Sequence, residues 1–145
     1  VAKVNGKAIT NYDVNQRAAF LRMVTNLEDT KANRQQIRKD ATQTLIDEIL
    51  KLEAAKAVDP NIVRKSREAA KNLVDENFAE NGKKGSQSLR DRGIDALTVQ
   101  AKFESDIVWG EFIKYKFNDK FQELESLVDN ALERIKKNSK KCDSQ

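Results

Sequence analysis

The sequence predicts a mainly α-helical, multi-helix domain of about five to six helices with a β-hairpin at its N-terminus. Three observations predict it. Asn5-Gly6 sits between the short apolar flanks Ala2-Lys3-Val4 and Lys7-Ala8-Ile9, and a two-residue Asn-Gly loop suits a type I′ hairpin turn, which needs positive φ at both central residues. Helix breakers are scarce, with 5 Gly and 1 Pro in 145 residues, which favours long helices. After Thr10, apolar residues recur at three- and four-residue steps almost to the end, the period of one helix face.

The elements follow in order. Pairing across Asn5-Gly6 sets Val4 against Lys7 and Ala2 against Ile9; two strands alone are marginal in water, so the hairpin must rest on another element or accept a third strand. Thr10 and Asp13 have the spacing of a capping box, opening a helix over 11–26 with Val14, Ala18, Leu21 and Val24/Thr25 on one face. Thr30 or Asn33 caps a second helix over 33–58. Its stripe of Ile37, Ala41, Leu45, Ile49 and Leu52 is widened by Ile46 and Leu50, so it is expected to be central. Asp59-Pro60 places a capping side chain and a first-turn proline at a restart. The third helix, 60–80, has Val63, Ala70, Leu73/Val74 and Phe78 inward and is expected to end at Asn81-Gly82. A short helix over 86–92 stops at Gly93. A fifth, 95–117, carries Phe103, Ile107/Val108, Phe112 and Tyr115. A sixth, 119–137, sets Phe121, Leu124, Val128, Leu132 and Ile135 against Glu123, Glu125, Asp129, Glu133 and Arg134, a cleanly amphipathic pattern with no later element to pack on.

Composition narrows the chemistry. Apolar residues are 39% and charged residues 34%, a low apolar and high charged share. Lys+Arg is 27 against Asp+Glu 23, net +4, with the signs interleaved except in Arg134–Lys141, where five cations meet no acid; a solvated helix terminus accounts for that run. Nucleic acid is not expected as a partner. There is no His, so imidazole-based triads and the commonest metal ligand are ruled out. The acid pairs Asp47/Glu48 and Asp75/Glu76 are adjacent in sequence and diverge by about 100° on a helix; they are expected to be solvated rather than catalytic. No phosphate loop, nucleophile elbow or metal-ligand spacing occurs, so no catalytic residue, metal or cofactor is expected. The single Cys, Cys142, excludes an internal disulfide. No apolar run reaches membrane-spanning length, so no integral membrane segment is expected. The chain begins directly in strand pattern without Met, as expected of a form whose signal peptide has been removed or left out.

What remains is surface. Trp109 lies off the main stripe of its helix, and Trp is enriched at binding surfaces. With Phe20, Met23, Phe112 and Tyr115 it forms the expected peptide-binding set, although the spacing of Phe112, like that of Phe103 and Ile107, reads first as core. Phe121, Leu124, Val128, Leu132 and Ile135 form the expected partner-binding helix face.

Together these motifs resemble a known family. Val4-Asn5-Gly6, Ile9-Thr10 and Asp13 look like the opening signature of SurA-type periplasmic chaperones, which are parvulin-like prolyl isomerases. Leu45–Lys56 is similar to the second helix of that family's N-terminal domain. Leu89, Arg92-Gly93-Ile94-Asp95, Phe103, Ile107, Trp109 and Phe112 resemble its short helix, turn and long helix. Glu123–Asn138 looks like the linker helix leading into the parvulin domain. The resemblance implies an N-terminal chaperone domain over 1–118, a linker or C-terminal amphipathic helix over 119–138 and a polar tail over 139–145. It implies ATP-independent binding, in the periplasm, of unfolded outer-membrane proteins or apolar peptides. Nothing after Asn138 resembles the parvulin domain, so isomerase activity is not expected of this chain. In the family a later segment returns to complete the N-terminal domain. The alternative expectation is a scaffold module that forms a homodimer or swaps through its last helix.

Overall fold

A computed structural model describes residues 2–143, apart from the side chains of 142 and 143; Val1 and the thiol of Cys142 lie outside the described residues. The expected fold class is present: an antiparallel hairpin, β1 (Ala2–Val4) and β2 (Lys7–Ile9), followed by α1 (Asn11–Thr25), α2 (Lys31–Val58), α3 (Pro60–Asn77), α4 (Gly85–Asp91) and α5 (Ala96–Asp143). The chain divides into two compact units, Val1–Gly110 and Glu111–Gln145, described separately below.

In the first unit the expected turn and cap chemistry is realised. The hairpin register pairs Ala2 with Ile9 and Val4 with Lys7, and Asn5 and Gly6 take φ of 50° and 82°. Thr10 and Asp13 exchange both capping-box hydrogen bonds at α1. Thr30 accepts from the Asn33 amide at α2, and Asp59 accepts from the Asn61 amide with Pro60 opening α3. Asn81-Gly82 departs from expectation. Helix α3 already ends at Asn77, with Phe78 as C-cap. Asn81 and Gly82, at φ 52° and 76°, instead form a tight turn closed by the Glu80–Lys83 bridge. The same dipeptide thus makes the same turn twice, because its backbone preference is local.

Helix α2 is central, packing on α1, α3 and both strands. One core cluster joins Ile9 of the hairpin, Val14 and Ala18 of α1, and Ile37 and Ala41 of α2, with Ala2 and Val4 against it. The hairpin is therefore covered by helix, which resolves how two strands persist. Val24, expected inward on α1, is about half exposed. A second cluster gathers Phe20, Val74, Leu89, Ile94 and Val99, with edge-to-face contact between Phe20 and Phe78 at 5.8 Å between ring centroids.

Residues 117–119, expected to separate a fifth from a sixth helix, are continuous helix within α5. Phe117-Asn118-Asp119 contains neither Gly nor Pro, and two residues of modest helix propensity do not interrupt a run held by its neighbours. The polar segment from 139 onward is helical as far as Asp143.

Candidate functional site

The second unit carries the larger apolar surface. Ile113, Phe117, Phe121, Leu124, Leu127, Val128, Leu132 and Ile135 all stand at least 49% exposed, with Phe117 at 70%. Six positions, Phe117, Phe121, Leu124, Val128, Ala131 and Ile135, follow alternating steps of four and three, the spacing of a and d positions in a heptad pattern. The expected partner face is therefore a continuous apolar stripe, and the structure adds Ile113, Phe117 and Leu127 to it. The omission of Ile113 and Phe117 is traceable to the break expected at 118, which hid that Phe117 and Phe121 share one face. Phe112 is partly buried, with the Lys116 ammonium 5.8 Å from its ring centroid, and Tyr115 is exposed.

The remaining residues expected to bind peptide lie in the first unit and do not form one surface. Phe20, at 3% exposure, is core; its position in a second cluster beneath α3 and α4 withdraws it from any binding role. Met23 lines a depression of about 290 Å³ with Phe78, Leu89 and Arg92. Trp109 lines a different, shallow one of about 330 Å³ with Leu50, Lys51 and Ala54, the Lys51 ammonium lying 5.7 Å from its ring centroid.

Two charged constellations escaped the sequence reading. The first is buried. Arg17 is fully enclosed, its guanidinium gripping both oxygens of Glu48, with Nη2 2.7 Å from Oε1. It also donates to the Thr98 carbonyl at 2.9 Å and to Thr98 Oγ1 at 3.3 Å. Glu48 is thus a core carboxylate, correcting its assignment to a solvated pair, while Asp47 is exposed and accepts from Gln43. Arg17 falls within the Val14, Ala18, Leu21 stripe and Glu48 one turn beyond Leu45. Opposite charges at inward positions of two helices were the available signal.

The second constellation rings an open cleft of about 600 Å³. Leu52, Ala57, Pro60 and Val63 supply apolar wall; Lys7, Glu53, Lys56, Arg64, Arg67 and Glu104 supply charge. Asn5 of the hairpin turn donates to Glu53, and Arg67 Nε lies 3.6 Å from Glu104 Oε1. Burial pushes the Glu104 carboxyl above its ordinary range, opposed by the neighbouring Arg67 and Lys7 charges. A raised carboxyl favours the folded state at low pH, and that advantage is lost as pH rises through its folded-state value. Replacing Glu104 by Gln is therefore expected to benefit stability more at pH 7 than at pH 4. Thermal melts of both proteins at the two pH values check this, and an equal difference at both contradicts it.

Among the described residues no helix is long and apolar enough to cross a membrane, and no three His, Cys, Asp or Glu side chains cluster as a metal site. No family model, no curated protein and no solved structure matches the chain.

Proposed function

We propose that this chain is a client-holding module of a SurA-type periplasmic chaperone, which shields apolar segments of unfolded outer-membrane proteins without ATP. The observation that carries the reading is the exposed stripe from Ile113 to Ile135. Soluble monomers rarely leave a contiguous apolar patch of more than a few hundred Å² uncovered, and a patch of that kind rimmed by charge, here Glu123, Glu125, Asp129, Glu133 and Arg134, fits an interaction surface. The order of the Val4–Asp13, Leu45–Lys56 and Leu89–Phe112 motifs supports the family and compartment. Fully covering one such side chain is worth about 1.5–3 kcal/mol, whereas ordering a disordered client costs about 2–5 kcal/mol or more. Holding is therefore weak for each segment, and release needs no nucleotide.

Light scattering of an unfolded β-barrel client diluted from denaturant tests the reading. Equimolar protein is expected to suppress the rise, and the double substitution Leu124→Ser/Val128→Ser to abolish most of that protection. Both side chains are more than half exposed, so helix content by circular dichroism should be unchanged. Scattering that rises equally with and without the parent protein defeats the proposal.

The four-three spacing favours a second reading, a homodimer sealed along the same stripe. The seam covers only about two and a half heptads, short of the three to four that argue for a coiled coil, so client holding is the primary reading. A sedimentation series showing a tight dimer at all concentrations would reverse that order.

A further inference from the structure

The cleft of the first unit is independent of the apolar stripe, and its charges do not balance. Four cations, Lys7 from β2, Lys56 from α2, and Arg64 and Arg67 from α3, meet two carboxylates, Glu53 and Glu104. Each carboxylate is already engaged, Glu53 by Asn5 and Glu104 by Arg67. Among the described residues Lys7, Lys56 and Arg64 form no ion pair, although other surface lysines and arginines of this unit do: Lys83 with Asp91, Arg92 with Glu80, Lys102 with Asp106. Four cations from three separate elements against two carboxylates leave an excess of two positive charges around one concavity, which raises the local potential and attracts an anion. The wall between them is apolar, made by Leu52, Ala57, Pro60 and Val63. A volume of about 600 Å³ falls within the range of small-molecule sites, about 300–1,000 Å³, which pair an apolar lining with a few fixed polar groups.

We infer that this cleft binds a small amphipathic organic anion, with a carboxylate or phosphate head held by Lys7, Lys56 and Arg64 and an apolar body lying on Leu52, Pro60 and Val63. The raised Glu104 carboxyl agrees with this. A proton taken up there removes one of the two competing negative charges.

The test is a nitrogen-15 amide titration of the full chain with four probes of equal chain length, each below its micelle-forming concentration: decanoate, decyl phosphate, decanol and decyltrimethylammonium. Both anions are expected to shift amides at 7, 52–67 and 104 saturably, at least tenfold more tightly than the neutral or cationic probe. A preference between the two anions identifies the head group. The charge-reversed double variant Lys56→Glu/Arg64→Glu, which alters two exposed side chains, is expected to weaken the anions at least tenfold while leaving the remaining spectrum in place. Equal binding of all four probes, shifts confined to 113–135, or no saturation by the anions overturns the inference.

Discussion

Arg17→Met is expected to destabilise the protein by about 3–5 kcal/mol, the cost of stripping one partner from a buried ion pair. The guanidinium is the only cation on Glu48 among the described residues, and it also ties Thr98 of α5 to α1 through two hydrogen bonds. Met fills much of the Arg volume, so the loss is electrostatic: Glu48 stays enclosed with no counter-charge, and the Thr98 carbonyl loses a donor. Domains of this size hold only about 5–15 kcal/mol in total. The single variant should therefore unfold at a far lower urea midpoint, with the slope of the transition retained. The double variant Arg17→Met/Glu48→Leu should recover most of the loss, since a buried pair replaced by apolar residues is often neutral or better. A single-variant cost below about 1 kcal/mol, the value of an exposed pair, would contradict the account.

Gly85→Ala is expected to cost about 3 kcal/mol. A Cβ at Gly85 would lie 1.9 Å from the Val74 carbonyl oxygen and 2.9 Å from its carbon, both backbone atoms that no rotamer change can move. Overpacking ordinarily costs about 1–3 kcal/mol, and a clash with backbone places this substitution at the upper end. Helix α4 must then move away from α3, and a second readout follows the movement. Asp75 of α3 accepts from the Ser86 amide at 3.1 Å, and hydrogen bonds from Ser86 hold its carboxyl below the ordinary carboxylate range. A depressed carboxyl contributes stability that is present above the ordinary value and lost as pH falls through the folded-state value. In Gly85→Ala the Asp75 titration, followed by carbon-13 shifts, should move up toward the ordinary value. A variant of parental stability with Asp75 unmoved would show that the close approach is not required.

The fold was legible wherever local chemistry decides it. Asn5-Gly6, Thr10 with Asp13, Thr30 and Asp59-Pro60 each satisfy backbone groups or fix φ within four residues, so sequence spacing suffices to read them. Asn81-Gly82 shows the limit of that reading. The dipeptide specified its own turn, but not that the last turn of α3 had already ended three residues earlier at Phe78. The apparent stop at Asn118-Asp119 failed for the opposite reason: weak propensity was given weight where helix cooperativity overrides it.

The site was less legible because its parts are distant in sequence. Residues 121–135 repeat within one helix, so their shared face could be read from spacing alone, whereas the break expected at 118 hid its extension to Phe117. Phe20 shows the reverse: an aromatic near a helix end reads equally as surface or core until the partners from α3, α4 and α5 are known. The charged cleft combines Lys7, the end of α2, the start of α3 and Glu104, and no periodicity links positions almost a hundred residues apart. Arg17 and Glu48 lay within reach of sequence reasoning, had inward charges been paired across helices rather than assigned to solvent.

The most direct test of the central claim, that an unfolded chain covers the apolar stripe, is site-specific photo-crosslinking on α5. A photoreactive phenylalanine analogue is placed at Leu124 or Val128 on the stripe, and at Glu125 or Asp129 on the charged face. With an unfolded β-barrel client present, crosslinks to the client are expected from 124 and 128 and not from 125 and 129. Equal yields from both faces, or products that join only two copies of this chain, would contradict it.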